Sequence, residues 1–89
     1  TPFGEIDGIA RRGRTLAFLE IKARADWHAA ETAITPHQRQ RIARAAEHWL
    51  GHAVARRPDL AHHEHRFDAV LVVGWRMRHI ADAWRQNLD

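Results

Sequence analysis

The stretch GEIDGIARRGRTLAFLEIKAR, residues 4–24, holds two short runs rich in Ile, Leu and Phe on either side of Gly13 and Arg14. A two-residue Gly-X loop between such runs predicts a β-hairpin over residues 5–23, closed by a type II′ turn. If Gly13 and Arg14 form the loop, Arg12 pairs with Thr15, Asp7 lies opposite Glu20, and Glu5 lies opposite Lys22. Side chains alternate along a strand, so Glu5, Asp7, Glu20 and Lys22 leave the hairpin from one face. Directly opposed Cβ atoms stand about 4.5–5.5 Å apart, and two like charges there cost roughly 0.2–1 kcal/mol.

A divalent cation would compensate for that repulsion, since Mg²⁺ takes one or two protein carboxylates together with water and a phosphate oxygen. Lys22 strengthens this reading. It is the only lysine among 14 basic residues, the other 13 being arginine. An ammonium on a flexible stem reaches a phosphate or a water as a point charge, a role that the planar guanidinium does not fill in the same way. The same four residues also fit a solvated strand edge with a Glu5–Lys22 ion pair. A longer loop would slip the register and separate the acids.

Outward from the hairpin, residues 24–34 read as a loop of small residues carrying Trp27. Thr35, Pro36 and Gln38 then supply an N-cap, a proline at N1 and the third residue of a capping box. Ile42, Ala45, Ala46, Trp49, Leu50, Ala53 and Val54 follow at helical spacing and predict a helix over Pro36–Arg56, ended by Pro58. Residues 59–65 read as a polar loop. The run FDAVLVV, residues 67–73, suits a strand buried on both faces. The tail RHIADAWRQ is compatible with a short helix or with a strand. These elements predict an α/β fold with a mixed sheet, in one domain spanning residues 1–89.

At 89 residues the chain buries roughly 60–65% of its unfolded surface, so its core is modest. A hydrophobic fraction of 45% argues against disorder, and no apolar run approaches the roughly 20 residues of a membrane helix. The absence of cysteine excludes a disulfide framework and points to the cytoplasm. The chain begins at Thr1 rather than methionine, so a leader cannot be judged from it. A net charge of +3 and a pI near 11.0 favour a polyanionic partner, although arginine richness also follows from gene base composition.

GEIDGIA, FLEIKAR, AITPHQRQRIARAA and RFDAVLVV, in this order, resemble the YraN-like family of endonuclease-like bacterial proteins. The family's fold is similar to the PD-(D/E)XK nucleases, including Holliday-junction resolvases. The resemblance implies a restriction-endonuclease-like core: a helix, a three-stranded antiparallel meander, a helix and a further strand. The first of these helices should precede Gly4 and is missing from this chain. The resemblance implies Asp7 and Glu20 as ligands of Mg²⁺ or Mn²⁺, the Ile21 carbonyl as a further ligand, and Lys22 as catalytic lysine. Gln38 would orient a phosphate or water, or else only cap the helix. Arg24, Arg39, Arg41 and Arg44 would hold a nucleic-acid backbone, most simply that of branched or single-stranded DNA, and Glu5 is an accessory of the motif. Related junction nucleases imply a homodimer. Gly8 stands where the family has a bulkier apolar residue and marks a candidate bulge.

Two other functional classes fit the sequence: a nucleic-acid-binding module without catalysis, and a protein-interaction domain using the tryptophan-bearing surface. Arg66 and Asp68 read as a structural ion pair before a site pair. His62, His63 and His65 form an HHEH tract that resembles a transition-metal ligand run without helical spacing. Trp27 and Trp49 read as core, Trp27 also as a base-stacking residue, while Trp75 and Trp84 are assigned to burial in the C-terminal segment or against a second subunit.

Overall fold

The computed structural model describes residues 5–85. Four strands, β1 (Gly8–Arg12), β2 (Thr15–Ala23), β3 (Glu64–Val73) and β4 (Arg76–Trp84), form one sheet in the order β1-β2-β3-β4. The outer pairs are antiparallel and β2 runs parallel to β3. Between β2 and β3 lie a short helix α1 (Trp27–Thr32), the long helix α2 (Pro36–Arg56) and a 3₁₀ turn (Pro58–His62). The α/β class, mixed sheet, hairpin and central helix are as expected. The three-stranded meander is not: among the described residues only β1 and β2 precede the helices, and the remaining strands follow them. Among the described residues no helix is long and apolar enough to cross a membrane.

The first hairpin has the predicted register, with Arg12 opposite Thr15 and Gly8 opposite Leu19. Gly13 takes φ +58°, the left-handed value a Gly-X turn requires at its first loop position. Gly8 pairs with Leu19, and the Asp7 N–H also donates to the Leu19 carbonyl (3.1 Å). Two residues therefore face one here, and the register slips at the glycine, as its sequence suggested. A Cβ there would lie 3.3 Å from Leu19 Cδ1, a close approach that a larger residue would press upon. The ladder stops at Gly8, so the strand is shorter than the expected span from residue 5.

Helix α2 begins as its sequence specifies, with Thr35 Oγ1 accepting from the Gln38 N–H. Its inner face buries Ile42, Ala43, Ala45 and Ala46, and Trp49, Leu50, Ala53 and Val54 are partly buried behind them. This face lies on Leu16 and Phe18 of β2 and Phe67, Ala69 and Leu71 of β3, which project from one side of the sheet. Phe18 is the centre of that layer, edge-on to Trp49 and beside Phe67, each with ring centroids 5.8 Å away.

Three stretches differ from expectation. The supposed loop of residues 24–34 contains α1, six residues capped by the Asp26 carboxylate on the Ala29 N–H; it is too short to show a periodicity. Strand β3 begins at Glu64 rather than 67, because parallel pairing of Thr15 with Glu64 carries the ladder into polar residues. The C-terminal tail is the strand β4, joined to β3 by Gly74 (φ +60°) and Trp75. Its register against β3 shifts between Phe67 and Ala69.

Asp68 holds that irregularity. Its carboxylate is fully buried and accepts from Arg66 Nε (2.8 Å) and Nη2 (2.9 Å), from the Asp82 N–H (2.9 Å), and lies 2.8 Å from His79 Nε2. Burial alone would raise its pKa, but these hydrogen bonds outweigh burial and hold it below the ordinary value. Asp82, with φ +54°, is kept in its left-handed conformation by the bond to Asp68. The Arg66–Asp68 pair is therefore structural, as its sequence suggested. Of the tryptophans, Trp84 is buried and Trp49 and Trp27 pack on the core, whereas Trp75 is fully exposed.

Candidate metal-binding site

Along β2 the residues facing α2 are Leu16, Phe18, Glu20 and Lys22, so the apolar stripe turns polar where α2 begins. Glu20 is 4% exposed, in a position where its strand neighbours bury hydrocarbon. Lys22 Nζ lies 3.3 Å from Glu20 Oε1. Asp7 stands one step before β1, where its backbone N–H donates to the Leu19 carbonyl at 3.1 Å. Its Oδ2 then accepts from the Ile21 N–H at 2.8 Å. A side-chain oxygen thus replaces the next backbone rung and ends the ladder.

This arrangement brings the Asp7 carboxylate within hydrogen-bonding reach of Glu20. Burial first, and then the hydrogen bond and negative charge of Asp7, push the Glu20 pKa up from 4.5 to about 7, against the opposing pull of Lys22. Backbone N–H and C=O of one strand residue point to the same edge. The Ile21 carbonyl is therefore directed to the β1 side, beyond the point where β1 has ended. Two hard carboxylates, one of them raised in pKa by burial, with a carbonyl beside them, fit a divalent cation in kind.

The structure brings together Asp7, Glu20, Ile21 and Lys22. Glu5 does not pair with Lys22: it forms an ion pair with Arg41 of α2, because the chain has left the sheet before reaching it. That link across 36 positions has no local signal in the sequence. Gln38 is half-buried in the first turn of α2, and among the described residues its bond is the backbone one to Thr35. The expected reciprocal half of the capping box is not made among the described residues. Arg24 bonds the Ala23 carbonyl, Arg39 lies 5.8 Å from the centre of the Trp84 ring, and Arg44 is exposed on α2. The HHEH tract does not converge. His63 meets the Asp59 carbonyl, His65 packs edge-on to Phe18, and among the described residues no three His, Cys, Asp or Glu are placed to share a metal.

Residues 1–72 match the model of an uncharacterised protein family, UPF0102. A UPF0102 protein of Paramagnetospirillum magneticum is 55% identical over 83 residues, covering 92% of this chain and 61% of the relative. One from Parvibaculum lavamentivorans is 52% identical over 86 residues, covering 96% and 62%. One from Methylorubrum extorquens is 51% identical over 82 residues, covering 91% and 61%. The chain thus spans about three-fifths of the length of these relatives.

Proposed function

Because the chain belongs to UPF0102, the YraN-like family, whose description names no activity, we propose from its own site that it is a Mg²⁺- or Mn²⁺-dependent phosphodiesterase acting on nucleic acid. The observation that carries this reading is the Asp7–Glu20 pair, a buried carboxylate pressed against another with a lysine 3.3 Å away. Asp7, Glu20 and the Ile21 carbonyl would hold the cation. When bound, it would polarise a phosphate oxygen and acidify a water. Asp7 is oriented for this by the Ile21 N–H. Lys22, 3.3 Å from Glu20, would stabilise negative charge growing on a phosphate. Arg24, Arg39, Arg41 and Arg44 would contact the sugar–phosphate backbone without regard to sequence, Arg41 only by sharing its guanidinium with Glu5.

Calorimetric titration of Mn²⁺ into wild type and Asp7→Asn, followed by cleavage assays, tests the reading. The expected result is binding that is lost in Asp7→Asn, with Lys22→Ala abolishing cleavage while DNA affinity remains. An active Lys22→Ala protein would sink the assignment. The small acidic set, two carboxylates among the described residues, favours one second reading: a metal-independent nucleic-acid-binding module. It expects salt-sensitive binding that survives Asp7→Asn.

A further inference from the structure

Trp75 is 100% exposed. It occupies the second loop position of a two-residue turn whose first is Gly74 at φ +60°, between Val73 and its partner Arg76. Neither the turn nor the core accounts for a tryptophan here. The chain's other Gly-X turn carries Arg14 in the same place, and Trp75 buries none of its ring. A short, register-locked hairpin nonetheless fixes the backbone of Trp75 at the end of the sheet, with its indole open to solvent.

That end is the one bearing the carboxylates. Lys22 pairs with Leu71 and Leu71 with Arg78, so the three lie in one row across β2, β3 and β4. With strands about 4.8 Å apart and about 3.3 Å per residue, the turn stands roughly two strands across and two to three residues beyond Lys22. Arg24 belongs to the same rim, its N–H donating to the Val72 carbonyl at 3.0 Å. Arg76 is exposed beside Trp75, and Met77 follows at 68% exposure. An exposed indole with arginines on the same rim can stack on an unpaired base while the arginines meet its phosphates. A purely apolar protein contact would instead have to strip water from these arginines.

We propose that Trp75 is a base-stacking platform, so that the substrate of the Asp7–Glu20 site is nucleic acid with unpaired bases, single-stranded or branched, rather than continuous duplex. This rests on the function proposed above and narrows its substrate class. The test is fluorescence anisotropy with the full natural chain, EDTA to stop hydrolysis, a labelled dT oligonucleotide and a labelled blunt duplex. Trp75→Ala should weaken single-strand binding about ten-fold, within the roughly 5- to 150-fold that one base–aromatic stack supplies. Trp75→Phe should retain most of the affinity, and duplex binding should be unchanged in both.

Wild-type binding to the oligonucleotide with an indifferent Trp75→Ala overturns this inference and leaves the proposed function standing. Equal losses in the alanine and phenylalanine variants also overturn it. Altered sedimentation without altered oligonucleotide affinity would assign the tryptophan to a second copy of the chain. No DNA affinity in wild type, even at low salt, overturns both this inference and the function it rests on.

Discussion

The surroundings of Glu20 favour its protonated form, and this makes the site's electrostatics measurable without substrate. Its pKa is raised in the folded protein to about 7 from 4.5, so the folded state binds the proton more tightly than the unfolded chain. The associated stability is fully present below pH 4.5 and is lost as pH rises through 7. The loss is on the order of 3 kcal/mol in the absence of a divalent cation. Thermal unfolding measured from pH 4.5 to 8 should show the midpoint falling, and Glu20→Gln should flatten that slope. In Lys22→Ala the pull toward the ionised form is gone, so the Glu20 carboxyl resonance should titrate at higher pH than in wild type. An unchanged titration would remove Lys22 from the site's charge balance. The Asp7–Glu20 apposition was legible from one number, the two residues of the loop. The Glu5–Arg41 pair was not, because it depends on where the chain leaves the sheet and where α2 returns.

At the scale of elements, one turn rule explains both hairpins, although the sequence made it visible only once. In the first, apolar runs flank Gly13 and Arg14. In the second, the strand after Gly74 and Trp75 reads RMRHIADAW, whose alternation is lost from His79 and whose register slips around Asp82. That break hid β4, and the partner that tolerates it, Asp68, lies 14 positions earlier. Asp68→Ala removes the acceptor of this whole network and strands the Asp82 N–H. It should cost about 3 kcal/mol or more in urea unfolding, as loss of a buried, multiply bonded carboxylate does. Gly74→Ala, with no atom near the added Cβ, is strained by its φ alone. It should cost roughly 1 kcal/mol and leave the fold intact.

For the whole molecule, helices cover one sheet face, the side carrying Leu16, Phe18, Phe67 and Leu71. The other side carries Ala17, Leu19, Val70, Met77 and His79 around a shallow hollow of about 280 Å³. The apolar content of β2 and β3 gave no way to tell the covered face from the open one, since both alternating sets are hydrophobic. Helix α2 was legible because a cap, a proline and a seven-residue stripe agreed. Phe18→Ala, at the layer's centre, should cost about 3–5 kcal/mol, a large part of what so small a domain has. Urea denaturation would read it directly.

The parallel union of β2 and β3 has a consequence in time. Thr15 meets Glu64 across 49 positions, whereas each hairpin closes over two. Hairpins of this kind form within microseconds, but the central ladder must wait for α2 to condense between its strands and for a long loop to close. Truncations at Phe18 and Ile42, which join strand to helix at the slow step, should therefore slow refolding, and Gly74→Ala, in a turn already closed by then, should slow refolding rather than hasten unfolding. The carboxylates are drawn from the early hairpin, but Arg41, which holds Glu5, arrives only with the late helix. The acids should come together before the basic helix that embraces them has docked.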